Sequence, residues 1–113
     1  MRQVWLLRDG DVLASMDVAE CLAERARGLF GRSDDQAALL LPGTRSIHTA
    51  GVPHPVDAAF LDRDLTVLAT VRLNPWRVAV PRPGARSVLA SSAGSFERWR
   101  LSPGDRLEIR ETS

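Results

Sequence analysis

The sequence predicts a mainly β fold, a sandwich or small barrel with one short α-helix after an N-terminal β-hairpin. Short apolar, β-prone segments recur along the chain, turn signals separate them about every ten residues, and only one segment has clear helical spacing. The 113 residues suffice for one core, and 44% hydrophobic with 26% charged residues is an ordinary globular balance. We therefore expect residues 1–113 to form a single domain.

The first elements are a hairpin and then a helix. Residues 2–7 and 12–18 have the character of strands, and an Asp-Gly pair between them is the signal of a tight hairpin turn. From Asp17 onward the spacing is that of a capping box followed by apolar residues at helical intervals. This pattern predicts a helix near residues 18–28.

The remainder of the chain predicts more strands and one long loop. Residues 74–85 contain three prolines and therefore favour an extended loop on the surface over a central strand. Residues 95–101 are predicted to form one short helical turn. The predicted strands after the helix are 37–41, 45–49, 56–62, 65–73, 86–91 and 106–111.

All fifteen basic residues are Arg, and the sequence contains no Lys. Arg is favoured for bidentate recognition of carboxylate and phosphate, but strong codon bias produces the same composition, and both interpretations remain open. The Arg residues are spread along the chain and interleaved with fourteen acidic residues, for a net charge of +1. This balance argues against nucleic-acid binding.

Cys21 is the single cysteine, so the chain forms no internal disulfide, as is typical of a reducing compartment. The apolar run at the N-terminus is too short for a signal peptide, and no run is long enough to span a membrane. We expect a cytoplasmic protein that is not in the membrane, is a monomer or weak dimer, and uses no cofactor.

Residues 45–62 form the most informative segment, because they contain both histidines, His48 and His54, together with Asp57 and two prolines. Two imidazoles and one nearby carboxylate are too few to predict a metal site. We expect Asp57 to be structural, accepting backbone N–H bonds from the Pro-rich loop 50–55. The candidate binding or pocket residues are Arg32, His48, Thr49, His54, Asp57, Trp76 and Arg77, and no catalytic residue is predicted.

The same segment resembles the signature of the family known as domain of unknown function 192. Pro55, Asp57, Phe60 and Asp62 match the family pattern Pro-x-Asp-x-x-Phe-x-Asp. A Gly-Leu stretch upstream is similar to the family's Gly-Leu-Met, with Phe30 in the Met place, and the resemblance covers about residues 15–110.

The resemblance implies a jelly-roll-like β-sandwich with one helix, and it implies no established activity, substrate or cofactor. The commoner family form has Trp-Met-Lys-Asn-Thr where this sequence has residues 48–52, His-Thr-Ala-Gly-Val. Any role that depends on that Lys and Asn is not transferred to this chain.

Three functional hypotheses follow. The leading one is a non-catalytic binding or protein-interaction module that presents loops 50–55 and 74–85, with Trp76 beside Arg77, to a protein or small ligand. The first alternative is an enzyme that acts on a small anionic substrate at a pocket formed by Arg32, His48 and Asp57. The second alternative is nucleic-acid binding through Arg and Trp, which the near-zero net charge disfavours.

Overall fold

The computed structural model describes residues 2–19, 37–49 and 52–111. Within them the fold is mainly β, as predicted, and seven of the eight predicted strands are present within two residues of their expected bounds. The strands are β1 (Arg2–Arg8), β2 (Asp11–Val18), β3 (Ala37–Pro42), β4 (Val56–Leu61), β5 (Val67–Leu73), β6 (Ser87–Ser92) and β7 (Leu107–Glu111). The short helix predicted near residue 95 is α1 (Ser95–Trp99).

The seven strands form one sheet in the order β5-β4-β6-β3-β2-β1-β7. Neighbouring strands are antiparallel except for β2 and β3, which run parallel. The sheet does not close into a complete barrel, but its two edge strands are joined at one end by a bridge between Thr66 and Arg106. Backbone hydrogen bonds from Val67 N–H to the Asp105 carbonyl (2.8 Å) and from Leu107 N–H to the Leu65 carbonyl (3.0 Å) flank this bridge.

The predicted N-terminal hairpin is confirmed. Asp9 and Gly10 have φ values of 52° and 85°, the positive values that a tight hairpin turn requires at both positions. The predicted helix start is wrong, because Asp17 and Val18 belong to β2 and pair with Leu39 and Leu40 of β3. Hydrogen bonding to a neighbouring strand has overridden the local capping pattern, and the rest of the predicted helix lies outside the described residues.

The predicted strand at 45–49 is also wrong. Only His48 forms a bridge, to Val78, outside the named strands. Residues 45–49 and 76–82, which we call the outer ribbon, run antiparallel to each other through the backbone bonds Thr49 N–H to Arg77 carbonyl (2.8 Å) and Ala79 N–H to Ile47 carbonyl (2.9 Å). Segment 74–85 is the extended loop that its prolines predict, and these prolines limit regular pairing.

The sheet buries apolar side chains on both faces. The inner face receives residues from all seven strands and is closed by Phe96 and Leu101 next to α1. The outer face covers β3, β4, β5 and β6 only, and Ile47 and Ala79 of the outer ribbon pack on it. Every residue of β4 is consequently buried, since its alternate side chains enter both clusters.

Leu89 provides a test of this arrangement, because it is fully buried at the centre of β6 between β4 and β3. We expect Leu89→Ala to lower the free energy of unfolding by about 2–5 kcal/mol through lost burial and a residual cavity. Urea denaturation measures this change. Val12→Ala, at a position that is 57% exposed, is the control and should change stability by no more than about 0.5 kcal/mol; equal losses in the two variants would contradict the core assignment.

Candidate functional site

Asp57 is buried near the start of β4, with 3% of its surface exposed, and its carboxylate accepts three hydrogen bonds from other described residues. The Arg72 Nε–H donates to Oδ1 at 2.9 Å, while the backbone N–H groups of Gly94 and Phe96 donate to Oδ2 at 3.0 and 3.3 Å. The donors among the described residues thus come from β5 and the start of α1, while part of the Pro-rich loop 50–55, from which we expected donors, lies outside the described residues. Asp57 alternates with Ala58 along β4 and therefore lies on the opposite face of the sheet, which is also buried.

Arg72 joins Asp57 to α1. Its Nη2 donates to Oε1 of Glu97 at 2.9 Å, in addition to the bond that Nε makes with Asp57. The hydrogen bond to Asp57, followed by that to Glu97, raises the pKa of Arg72 above its ordinary value, so the guanidinium stays charged. Half of the Arg72 side chain is exposed, and it covers the buried carboxylate like a counterion at the surface.

A cleft of about 380 Å³ opens beside this ion pair. Two basic and two acidic residues line it, together with Thr70, Phe96 and Ser102. Because Asp57 and Arg72 neutralise each other and the Asp57 oxygens are held by backbone donors, the arrangement fastens α1 to the sheet.

The two candidate histidines do not line the Asp57 cleft. His48 is exposed on the outer ribbon opposite Val78 and does not line the Asp57 cleft. His54 has Nδ1 3.2 Å from the Pro55 carbonyl oxygen and lines a smaller cleft of about 200 Å³ with Arg98. Arg32, the third member of the proposed pocket trio, lies outside the described residues.

Thr49 is fully buried and holds the turn 74–77, which leads into the second segment of the outer ribbon. Its Oγ1 donates to the Asn74 carbonyl at 2.7 Å and accepts from the Arg77 N–H at 2.9 Å. The hydroxyl therefore bridges the first and last residues of the turn 74–77. The Thr49 carbonyl also accepts from the Trp76 N–H at 3.1 Å, so a single buried residue fixes both the turn and the residue at its tip.

Trp76 occupies this turn with φ of 63°, in the left-handed region that non-Gly residues rarely adopt. Its side chain is 70% exposed. A left-handed conformation costs an L-residue roughly 1–2 kcal/mol, and Gly or Asn would adopt it more easily. The chain thus holds a large apolar side chain in water on a strained backbone.

Two further apolar side chains close to Trp76 in sequence are also exposed. Val78 is 72% exposed and Val80 is 82% exposed, while Ala79 between them is buried against the sheet. We call Trp76, Val78 and Val80 the apolar stripe. Sequence reasoning identified Trp76 and missed the two valines; the signal was the small Ala79 between two branched residues, which fits a strand that turns its small side chain inward.

The two chain segments that form the outer ribbon carry only positive charge. The sequence has no acidic residue from Gln36 to Val56 and none from Leu65 to Phe96. Arg45, Arg77 and Arg82 are exposed on the outer ribbon beside the stripe. This local imbalance is hidden in the net charge of the whole chain.

Two classes of site find no support in the part of the chain that the structure describes. No three His, Cys, Asp or Glu side chains are grouped so as to hold a metal ion there. Among the described helices, none has the length and hydrophobicity needed to cross a membrane.

The chain is similar to a group of uncharacterised proteins. The family model DUF192, described as Uncharacterized ACR, matches residues 5–109. A UPF0127 protein of Pyrococcus abyssi is 31% identical over 98 residues, covering 82% of this chain and 84% of the relative. A UPF0127 protein of Pyrococcus horikoshii is 30% identical over 96 residues, covering 80% and 84%.

Solved structures share the fold. A protein from Sinorhizobium meliloti, described as a proposed transcription regulator, has a TM-score of 0.79 and 24% identity, with 95% of this chain and 92% of that chain covered. A protein of unknown function from Novosphingobium aromaticivorans has a TM-score of 0.73 and 22% identity, with 94% and 83% covered. At these identities the likeness concerns the fold alone.

Asp57→Ala should lower the free energy of unfolding by about 3 kcal/mol, because the Arg72 guanidinium and two backbone N–H groups lose a charged acceptor. Asp57→Asn keeps one acceptor oxygen and should lose less. Chemical denaturation of both variants measures the difference. Equal losses, or no loss in either, would show that these hydrogen bonds do not fasten α1.

Thr49→Val should destabilise the turn at Trp76, because it keeps the side-chain volume while removing both hydroxyl bonds. Thr49→Ser, which retains the hydroxyl, is the matched control. We expect faster hydrogen exchange of the Arg77 amide in the valine variant and a loss of about 1–3 kcal/mol in the free energy of unfolding. An unchanged Arg77 amide in Thr49→Val would contradict the role of Thr49.

Proposed function

Because the chain belongs to the DUF192 family, whose members have no established activity, we propose its function from its own surface. We propose a non-catalytic protein-interaction module in which the apolar stripe docks on a partner protein and Trp76 is the anchor. The interaction takes place in the cytoplasm, the compartment that a single cysteine favours.

The observation that carries the proposal is the exposed Trp76 on a left-handed backbone. Strained residues persist where the surrounding structure holds them and where the strain serves a function. Here the hydroxyl and carbonyl of the buried Thr49 hold the turn at Trp76 through hydrogen bonds. Within the fold itself, a Gly at position 76 would meet the conformational demand of the turn without placing an indole in water.

The stripe also has the properties of a binding hot spot. Trp and Arg are the residues most enriched where binding energy concentrates, and Trp76 is followed directly by Arg77. The turn is fixed before any partner arrives, so docking loses little conformational entropy at the anchor. Val78 and Val80 extend the apolar contact along the outer ribbon.

The two alternatives from the sequence have weaker support. An enzyme needs convergent groups, and His48 and Asp57 lie in different settings. Nucleic-acid interfaces are polar and strongly charged, whereas the stripe contains two exposed valines between its arginines. A partner with an apolar surface fits these side chains better.

Photo-crosslinking identifies the partner directly. A photo-reactive amino acid replaces Val80 in the full chain, and the same replacement at Val12, exposed on β2, is the control. We expect a protein from the source organism to crosslink at position 80 and not at position 12. Equal crosslinking at both positions, or none at position 80, would contradict the proposal.

Trp76→Asn separates binding from stability, because Asn tolerates the left-handed conformation. We expect the free energy of unfolding to stay unchanged or rise by up to about 1 kcal/mol as strain is relieved. Affinity for the crosslinked partner should fall about 30-fold, the loss of a hot spot of about 2 kcal/mol. Calorimetric titration and urea denaturation give the two quantities.

Trp5→Ala is the control for loss of an indole, since Trp5 is 40% exposed on β1 and lies outside the ribbon. It should leave partner affinity unchanged. If Trp76→Asn instead unfolded more easily than the parent by more than about 1 kcal/mol, Trp76 would be a packing residue and the proposal would be wrong.

A further inference from the structure

We infer that the outer ribbon binds its partner by strand addition, in which an extended acidic and apolar segment of the partner protein pairs with the free backbone edge at Val78 and Val80. This inference rests on the proposed function, because it specifies how the apolar stripe engages a partner. It follows from backbone direction, side-chain exposure and local charge.

The backbone pairing within the ribbon leaves one edge open. His48 and Val78 face each other as a pair flanked by hydrogen bonds, Thr49 N–H to Arg77 carbonyl and Ala79 N–H to Ile47 carbonyl. In such a pair the N–H and C=O of the two facing residues point away from each other. The polar groups of Val78, and by alternation those of Val80, therefore point to the outer edge.

These outward groups are available for binding. Among the described residues, the structure shows no hydrogen bond made by the backbone of Val78 or Val80, and both residues are largely exposed. An unpaired N–H and C=O at alternate positions is the template that an incoming strand recognises. Main-chain bonds to this edge would supply affinity, and the side chains beside it would supply specificity.

The edge is also short. Pro81 follows directly and has no N–H to donate, and Arg82 turns back to bond the Arg45 carbonyl through its own N–H. Proline and charge limit uncontrolled pairing between sheet edges. A segment of a few residues fits this edge, whereas a long strand of another sheet does not.

Charge complementarity selects the partner segment. The ribbon has exposed arginines, Arg45, Arg77 and Arg82, and no acidic residue in either of its two segments. An extended segment that alternates acidic and branched apolar side chains would place its apolar side chains on the stripe and its carboxylates beside these guanidinium groups. A basic segment would be repelled.

The probe is a synthetic peptide with the sequence Ac-Glu-Val-Asp-Val-Glu-Val-Asp-amide, titrated into the isotope-labelled full chain and followed by amide hydrogen exchange. At saturation we expect exchange of the Val78 and Val80 amides to slow at least about ten-fold, as new hydrogen bonds form. The Arg77 and Ala79 amides are internal controls, because they already donate within the ribbon.

Two altered peptides test the chemistry. A peptide with Lys in place of each acid should bind at least about ten-fold more weakly, because it loses the attraction to the arginines. A peptide that is N-methylated at every residue keeps its side chains but has no N–H to donate, and it should also bind at least about ten-fold more weakly. Equal binding of the N-methylated peptide would overturn strand addition.

One substitution in the protein completes the test. Val80→Glu adds a carboxylate at the edge and should lower the affinity for the acidic peptide at least about ten-fold. Val12→Glu on β2 should leave this affinity unchanged. Both positions are exposed, so neither variant disturbs the core. If a single-stranded oligonucleotide displaced the peptide and bound more tightly than it, the partner class would be nucleic acid and the inference would be wrong.

The outcomes distinguish this inference from the proposed function. Suppose that the Trp76→Asn variant no longer binds the crosslinked partner, yet the Val78 and Val80 amides of the parent chain stay unprotected when the partner binds. The stripe is then a docking site, and strand addition is wrong. If the peptide protects both amides but Trp76→Asn binds the partner normally, the edge pairs as inferred and Trp76 is not the anchor.

Discussion

The burial of β4 on both faces is the constraint on which the rest of the structure depends. A strand with no solvent-facing side needs a cover on each face and a partner for every polar group it carries. The inner face is covered by the curved sheet itself together with α1. Among the described residues no second sheet covers the outer face, and the outer ribbon packs on it with Ile47 and Ala79.

Asp57 shows how the polar requirement is met. Its carboxylate is buried in β4 and accepts hydrogen bonds from the Arg72 side chain of β5 and from two backbone N–H groups at the start of α1. A charge in this position would be costly without them. The same bonds that compensate the charge also hold α1 over the open end of the inner core, so one side chain links β4, β5 and α1.

Local patterns in the sequence predicted where the strands lie better than they predicted which residues contact each other across the fold. Alternation and turn signals were enough for seven strands and the first hairpin, because these depend on neighbouring residues. The segment 45–49 has strand character but pairs only with another irregular segment, a property decided by the prolines of 74–85. The donors to Asp57 were missed because they come from residues 72, 94 and 96, and nothing near residue 57 specifies them. Trp76 was identified from its residue type, whereas the exposure of Val78 and Val80 depends on Ala79 packing on a sheet formed elsewhere in the chain.

The pairing of β1 with β7 joins the two ends of the described chain, as Val4 faces Glu111 and Arg2 forms an ion pair with Glu111 at 3.3 Å. During synthesis the β1–β2 hairpin can form as soon as it emerges, but the other edge of β1 stays open until residues 107–111 have been made. Contacts between distant residues slow folding, and an open strand edge is exposed to wrong pairing in the meantime. Correct pairing of β1 therefore depends on the synthesis of β7, and a chain broken off before residue 107 would carry a hairpin edge available for aggregation.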